Sequence, residues 1–589
     1  MNTTRRGRKI LALAAASAVI LAACGSDDDS GSGSESTDAG SETTEATEGT
    51  DAPDTTDDMT ETTDGGEEGA GEAVFRITYE LSDTAVWNDG TPITAADFEC
   101  GWKAALGTPG SLSTAGYDSI ISVEEGDSPS QVVVEMDTVY APYKTLWDAE
   151  LLKSDEIEDC NDVTDDFEGG IPFSGREWIQ ESWSPEQIVW VPNPGYTGDK
   201  VPQTERMVIV PAEDGATLLK SGDVDFIFPQ AYTGIDDDLN DPNIEYDSAL
   251  GGSYEAFYFM QVKDDRAGPF ADDDFRQAFS KSIDMDGVYD QIYAPLAQGA
   301  PLLTCGPIAP GPYCDPTTFE DTYDPDGAEQ ILTDAGWTKN GEGLWESPDG
   351  EVPEVRFMVS SPNPRRESTQ AYLIPLLREA GFNVVADNCE AVPCVFQTRL
   401  PGLDYDMTMY ISTVSPDPTY LLDSFSCDSI PTEENGFQGQ GQQGWCNEEA
   451  SALLEESDVT INEQERADLV KEAIKFMRED AVLLPLLQFP NVGAYRSDKV
   501  ANTQAELANY RAVNDWYQWE DVDGDGQIVF GAEQFPDPSC PNPINECANS
   551  SWYVWTVSFA ALPAPFDATA DNTFEITEML AGEPVVEEL

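Results

Sequence analysis

Asp521, Asp523, Asp525 and Gly526 stand in the order D-x-D-x-D-G. That spacing opens a calcium loop, in which alternate carboxylates converge on one hard cation. A complete loop of this kind ends in an acid at position 532, but the chain has Ala532 there and an acid, Glu533, one place later. Calcium at these three aspartates therefore stands beside a plainer reading, an acidic connector, and no other cofactor is expected. Beyond Cys24 there are ten cysteines, an even number that suits an oxidising compartment. Four pairs are sequence neighbours: Cys305 with Cys314, Cys389 with Cys394, Cys427 with Cys446, and Cys540 with Cys547. Cys100 and Cys160 are left over. Local staples are the simplest expectation, with connectivity open; a four-cysteine zinc site is the rival, and the chain has no C-x-x-C to favour it. Histidine is absent, which removes Ser-His-Asp and Cys-His catalysis and imidazole metal sites. Paired carboxylates can hydrolyse glycosides, but among 113 acidic residues no single pair is informative. An enzyme is accordingly not expected.

The 589 residues carry a formal charge of −84, from 113 acids against 29 bases. Such a surface repels nucleic acid and anionic headgroups and stays soluble in strong salt, which screens its self-repulsion. Arg5, Arg6, Arg8 and Lys9 precede an apolar stretch over 10–23, too short to favour a spanning helix. It closes in Leu21-Ala22-Ala23-Cys24-Gly25, which resembles a bacterial lipobox. The resemblance implies cleavage before Cys24 and lipidation of its sulfur, placing the protein in the cell envelope, anchored to a membrane and facing the periplasm or exterior. A secreted protein with a chance cysteine is the alternative. Arg5-Arg6 is a weak sign of twin-arginine export, so the route stays open. Residues 25–72 hold 17 acids, no Lys or Arg and almost nothing to bury. They read as a disordered tether spanning roughly 40 Å as a flexible coil, and further when extended by charge.

The elements that position any site begin near Ala73. Phe75, Ile77 and Tyr79 alternate with polar residues as in a half-buried strand. Short strands such as Val132-Val133-Val134 then alternate with helical patterns such as 370–380, which predicts an α/β chain. In Trp87-Asn88-Asp89-Gly90-Thr91-Pro92 a strand ends in a turn, after which Thr94 reads as a helix N-cap with Asp97 in the capping-box position.

The stretch 87–98 also resembles the family 5 extracellular solute-binding proteins of ABC importers (oligopeptide, dipeptide and nickel type). Further landmarks follow in that family's order: Asn193-Pro194-Gly195-Tyr196, Leu219-Lys220-Ser221-Gly222-Asp223-Val224-Asp225, Pro269-Phe270 through to Ile283-Asp284, and Tyr323-Asp324-Pro325 to Ala335-Gly336-Trp337. The resemblance runs on to about Trp519. It implies a bilobal fold like the type II periplasmic binding proteins, with mixed sheets, an extra subdomain and a hinge between lobes. The family's opening segment is missing before residue 73, and its features recur at the other end: a strand at Gln527-Ile528-Val529-Phe530-Gly531, a turn at Pro541-Asn542-Pro543, and the pieces 566–574 and 580–584. A circular permutation is the favoured reading; a tandem repeat with a truncated second copy is the rival. Permutation requires Leu589 to lie beside Ala73. The division that follows is 1–24 signal peptide, 25–72 tether, 73–178 first-lobe subdomain completed by 576–589, 179–262 first lobe, 263–487 second lobe, 488–525 return to the first lobe, and 526–589 the permuted opening segment.

By position in the family, the resemblance implies ligand contacts at Tyr254, Tyr258 and Gln261 near the crossover, at Arg399, Tyr410, Ser415 and Asp417, and at Asn549, Ser550 and Trp552 in the loop bordering the cleft. Core packing is the competing reading for the aromatics. Peptide binders of the family hold the peptide amino group on an acid a few residues before Asp417-Pro418, where this chain has Val414 or Ser415. That puts free-amino peptides in question. The partners implied are an ABC permease complex and a peptide or small organic solute, met by a monomeric receptor. The other function class open to the same scaffold is a non-transporting sensor, chaperone or surface module.

Overall fold

Two long strands tie the molecule together. Ile244–Phe259 and Leu483–Arg496 run antiparallel, with Ile244 opposite Arg496 at one end and Tyr258 opposite Leu483 at the other. The computed structural model that shows them describes residues 72–589 except 112–113, 213, 229–239, 295–298, 362, 414, 433–438, 504–511, 533–534, 536–540, 546–557 and 570. The signal peptide, Cys24, all but the last residue of the tether, Val414, Cys540, Cys547, Asn549, Ser550 and Trp552 lie outside the described residues.

The two strands sit inside a ten-stranded mixed sheet that serves both lobes. At the first-lobe end Leu483–Arg496 is flanked by Phe226–Ile227, then Ile528–Ala532, Met207–Pro211, Ile188–Pro192 and Trp178–Trp183. At the second-lobe end Ile244–Phe259 is flanked by Met407–Thr413, then Glu354–Met358 and Asn383–Ala386. The ladder slips between Pro485 and Leu487 and again between Gln488 and Pro490. Proline has no amide proton to give a ladder, so both slips sit where the sequence cannot keep regular pairing. The lobes are thus joined by a doubly bulged ribbon. Residues 254–259 already pair with Met407–Thr413 and pack in the second-lobe cores. The crossing therefore falls earlier than the expected boundary at 262.

A second sheet of four antiparallel strands forms the subdomain, in the order Ile120–Glu125, Gln131–Met136, Phe75–Glu80, Val585–Glu588. Its inner face and the Trp178–Trp183 end of the large sheet share one core that includes Phe75, Trp147, Trp190 and Phe530. The turn at Asp89 forms as read: Asp89 Oδ1 accepts from Thr91 N at 2.9 Å, and Gly90 takes φ +84°, a conformation open to a residue without Cβ. Asp97 Oδ2 then accepts from Thr94 N at 2.8 Å at the start of the helix Ala95–Gly107.

The C-terminal segment is woven through both sheets. Ile528–Ala532 is a central strand, parallel to Met207–Pro211 on one side and to Phe226–Ile227 on the other. Phe566–Ala568 and Phe574–Ile576 make a small hairpin. Val585–Glu588 pairs with residues 75–78, and Leu589 N donates to Val74 O at 2.8 Å, so the end of the chain adjoins the start of the body, as a permuted order requires. Eight cysteines are joined as Cys100–Cys160, Cys305–Cys314, Cys389–Cys394 and Cys427–Cys446, which leaves none of the eight to hold zinc.

Candidate functional site

Alternation on the crossing strand decides what it presents to each side. Tyr254 and Tyr258 fall on one face; Glu255, Phe257 and Phe259 fall on the other. On the first face Tyr258 stacks on Tyr410 at 4.3 Å between ring centroids, its hydroxyl donates to Tyr254 Oη at 3.1 Å, and it shares a 2.8 Å hydrogen bond with Ser412 Oγ. All three tyrosines are buried in the second-lobe core. Burial pushes the Tyr254 hydroxyl up to about 12, so these rings act as neutral hydrogen-bonding groups at physiological pH. The structure brings Tyr254, Tyr258 and Tyr410 together as one layer of the second lobe, in the place that core packing assigns them.

On the opposite face Glu255 is fully buried, and it is satisfied by two arginines that the sequence reading did not single out. Arg366 Nε lies 2.8 Å from Glu255 Oε1 and Arg365 Nε 3.2 Å from Oε2. Both arginines come from the first turn of the helix Pro364–Ala380, capped by Asn363. Arg365 also lies over the Phe489 ring at 4.9 Å, on the second crossing strand. This buried charge group pins that helix to the ribbon joining the lobes.

Asp417 is committed within the protein. Its two oxygens take Arg466 Nη1 and Nη2 at 2.6 and 2.8 Å, and Oδ1 also accepts from Thr419 N at 3.0 Å. Ser415 Oγ accepts from Asp417 N at 3.2 Å and shapes the turn before it. Arg466 also donates to Ser457 O at 2.9 Å and reaches Asp458 Oδ1 at 3.3 Å. Burial pushes the Asp458 carboxyl up to about 6; Asp417 adds to the rise, while the Thr419 hydroxyl and Arg466 oppose it. Arg399 is likewise held, with Nη2 2.6 Å from Asp387 Oδ2 and Nε 2.9 Å from Asp404 O. Gln261 is not brought to the others. It lies past the far end of the crossing strand, where it lines a separate cavity of about 430 Å³ with Arg266, Arg276, Trp445 and Asp480.

The lobes meet beside Asp417. Ala141 N of the first lobe donates to Asp458 O of the second at 2.9 Å, and Lys144 Nζ lies 3.3 Å from Glu463 Oε1. Ile461 packs against the first-lobe core. Asp521, Asp523 and Asp525 converge elsewhere, with carboxylate oxygens within 4.8 Å of one another on an exposed turn. Their oxygens already accept from backbone amides of that turn: Gly524 N and Gly526 N reach Asp521 at 2.8 and 2.7 Å, and Gln527 N reaches Asp525 at 3.0 Å. Ala532, at the twelfth position, is buried in a strand. Among the described residues no helix is long and apolar enough to cross a membrane.

The family model described as "Bacterial extracellular solute-binding proteins, family 5 Middle" matches residues 75–432, more than half of the chain. The dipeptide-binding protein DppE of Bacillus subtilis is 19% identical over 442 residues, covering 70% of this chain and 76% of the relative. Among solved structures, the periplasmic EDTA-binding protein EppA superposes with a TM-score of 0.64 at 19% identity, over 76% of this chain and 85% of the other. NikZ from Campylobacter jejuni, in complex with Ni(L-His), gives 0.60 at 19% identity, over 77% and 89%. At that identity the two structures establish the fold.

Proposed function

Because this chain belongs to the family 5 bacterial extracellular solute-binding proteins, we propose that it is the membrane-anchored receptor of an ABC importer, capturing a peptide or another small organic solute between its two lobes and delivering it to the permease. The observation that carries the reading is the doubly bulged ribbon of Ile244–Phe259 and Leu483–Arg496. It is the crossing between two bodies with separate cores, the construction that hinge closure around a ligand uses. Cys24 supplies the anchor in this reading and residues 25–72 the reach from the membrane. The receptor acts as a monomer.

The commitment of Asp417 to Arg466 bears on the solute. The place of the family's anchoring acid holds Val414 or Ser415 here, and Asp417 beyond it, which already takes both guanidinium nitrogens at 2.6 and 2.8 Å, is not free to hold an ammonium group in its stead. Peptides with an acetylated amino terminus are therefore expected to bind as well as those with a free one. Calorimetric titration of di- to pentapeptides in both forms, together with native mass spectrometry of freshly purified protein to find a co-purified solute, tests the reading. A saturable ligand with one site per chain supports it; no ligand from either route refutes it. Labelled palmitate should enter the wild type and not Cys24→Ala; equal labelling of both removes the anchor.

A further inference from the structure

The turn between the helices Glu448–Asp458 and Glu463–Glu479 is built for more than connection. It is rigid on its own side, because the buried Arg466 binds Ser457 O, both oxygens of Asp417 and Asp458 Oδ1 at once, with its guanidinium 5.7 Å over the Tyr313 ring. It is complementary on the other side: Asp458 O receives Ala141 N, Ile461 enters the first-lobe core and Glu463 meets Lys144. A second touch lies nearby, where a Cβ on Gly311 of the second lobe would come within 3.3 Å of Asn572 O of the first. We propose that the 458–463 turn is a proton-sensitive clasp, which docks on residues 140–144 and holds the two lobes shut. The inference rests on the reading of the protein as a closing receptor.

The sensitivity comes from Asp458. Its carboxyl faces Asp417 and Arg466 from its own lobe and Tyr140 from the first lobe, with Lys144 and Glu463 paired at the rim. Residues 140–144 lie against it, with Ala141 N on the Asp458 carbonyl at 2.9 Å and Tyr140 close enough to feel the carboxyl, and the cover they add favours the protonated form. The carboxyl, raised to about 6 in the shut form, is left more exposed when residues 140–144 move away, so it binds its proton more tightly when shut. The shut form is therefore favoured as pH falls through about 6, and that advantage is lost as pH rises. Between pH 7.5 and pH 5.5 the shut-to-open ratio is expected to rise by up to about fourfold, the limit reached when the open form leaves the carboxyl in its ordinary range.

The test is single-molecule energy transfer across the lobes of the full chain without ligand, in 1 M NaCl, with dyes at Lys103→Cys and Lys475→Cys. The wild-type background should move toward the short distance from pH 7.5 to pH 5.5, by up to about fourfold in the shut-to-open ratio. Asp458→Asn should stay shut at both values with no pH response, and Ile461→Asp should stay open at both. Should Ile461→Asp lose its circular dichroism signal, Lys144→Glu, which breaks the rim pair and takes the ammonium from over the Phe566 ring at 5.7 Å, should open the lobes partly. A full pH response in Asp458→Asn, or an unchanged distance in the folded Ile461 or Lys144 variant, overturns the clasp. If the clasp variants behave as stated while no solute alters the distance, the clasp stands and the receptor reading falls.

Discussion

Phe530→Ala measures how deeply the C-terminal segment belongs to the first lobe. Phe530 is fully buried on the central strand Ile528–Ala532. Its ring lies 5.5 Å from both Phe226 and Phe228 and 6.2 Å from Trp516, centroid to centroid. Truncation of a buried Phe costs about 3–5 kcal/mol, the higher values belonging to sites that cannot collapse into the space left behind. The neighbours here are rigid rings held on the strand Phe226–Ile227, on the residue just past its end and on a 3₁₀ turn, so about 4 kcal/mol is expected, roughly a thousandfold in the unfolding equilibrium. Urea unfolding followed by tryptophan emission reports it, since Trp516 and Trp519 are both buried in the same core. Amide exchange should quicken in Met207–Pro211 and Phe226–Ile227 as well as in Ile528–Ala532, because the three strands form one ladder. A loss below about 1 kcal/mol, with faster exchange confined to residues after 526, would refute the integration of the segment and leave it an appendage.

Asp567→Asn should cost about 3 kcal/mol by the same denaturation, because it removes the carboxylate that holds Nη1 and Nη2 of the buried Arg176 at 3.0 and 2.7 Å and leaves it the looser Glu177 at 3.7 Å; a change under 1 kcal/mol contradicts this. The four disulfides engage eight of the ten cysteines after Cys24, so titration of the unfolded, unreduced mature chain should find at most two thiols besides that residue, and three or more would show a wrong pairing. With a net charge of −84, the melting temperature should climb by several degrees as NaCl rises from 0.1 to 1 M, where the screening length falls from about 10 Å to about 3 Å; a flat or falling melting curve contradicts a self-repelling surface.

Local chemistry was legible, and long-range pairing was not. The Asp89 turn and the cap of Ala95–Gly107 are written within ten residues, and both formed as read. The disulfides of the second lobe span separations of 9, 5 and 19 and follow sequence neighbourhood. The strand at Ile528–Ala532 was visible from its apolar run, but its central place between two parallel neighbours was not, since pairing partners leave no periodic trace in one sequence. Tyr254 and Tyr258 have the spacing of a strand face whether that face meets ligand or core, and their burial in the second-lobe core is visible only in the packing. The arginines that neutralise Asp417 and Glu255 stand 49 and about 110 residues away, beyond any local pattern. The passage from one lobe to the other leaves no mark in the sequence, because a strand running unbroken through two bodies shows no change of composition where it crosses.

A receptor of this kind must capture its solute between closing lobes. The direct measurement is the distance across the lobes, read between dyes at Lys103→Cys and Lys475→Cys, when refolded, solute-free protein is given back the small-molecule fraction released from freshly purified protein. A closing receptor should shift to one short distance at saturation. An unchanged distance, under conditions where the same fraction raises the melting temperature, would show binding without closure and contradict it.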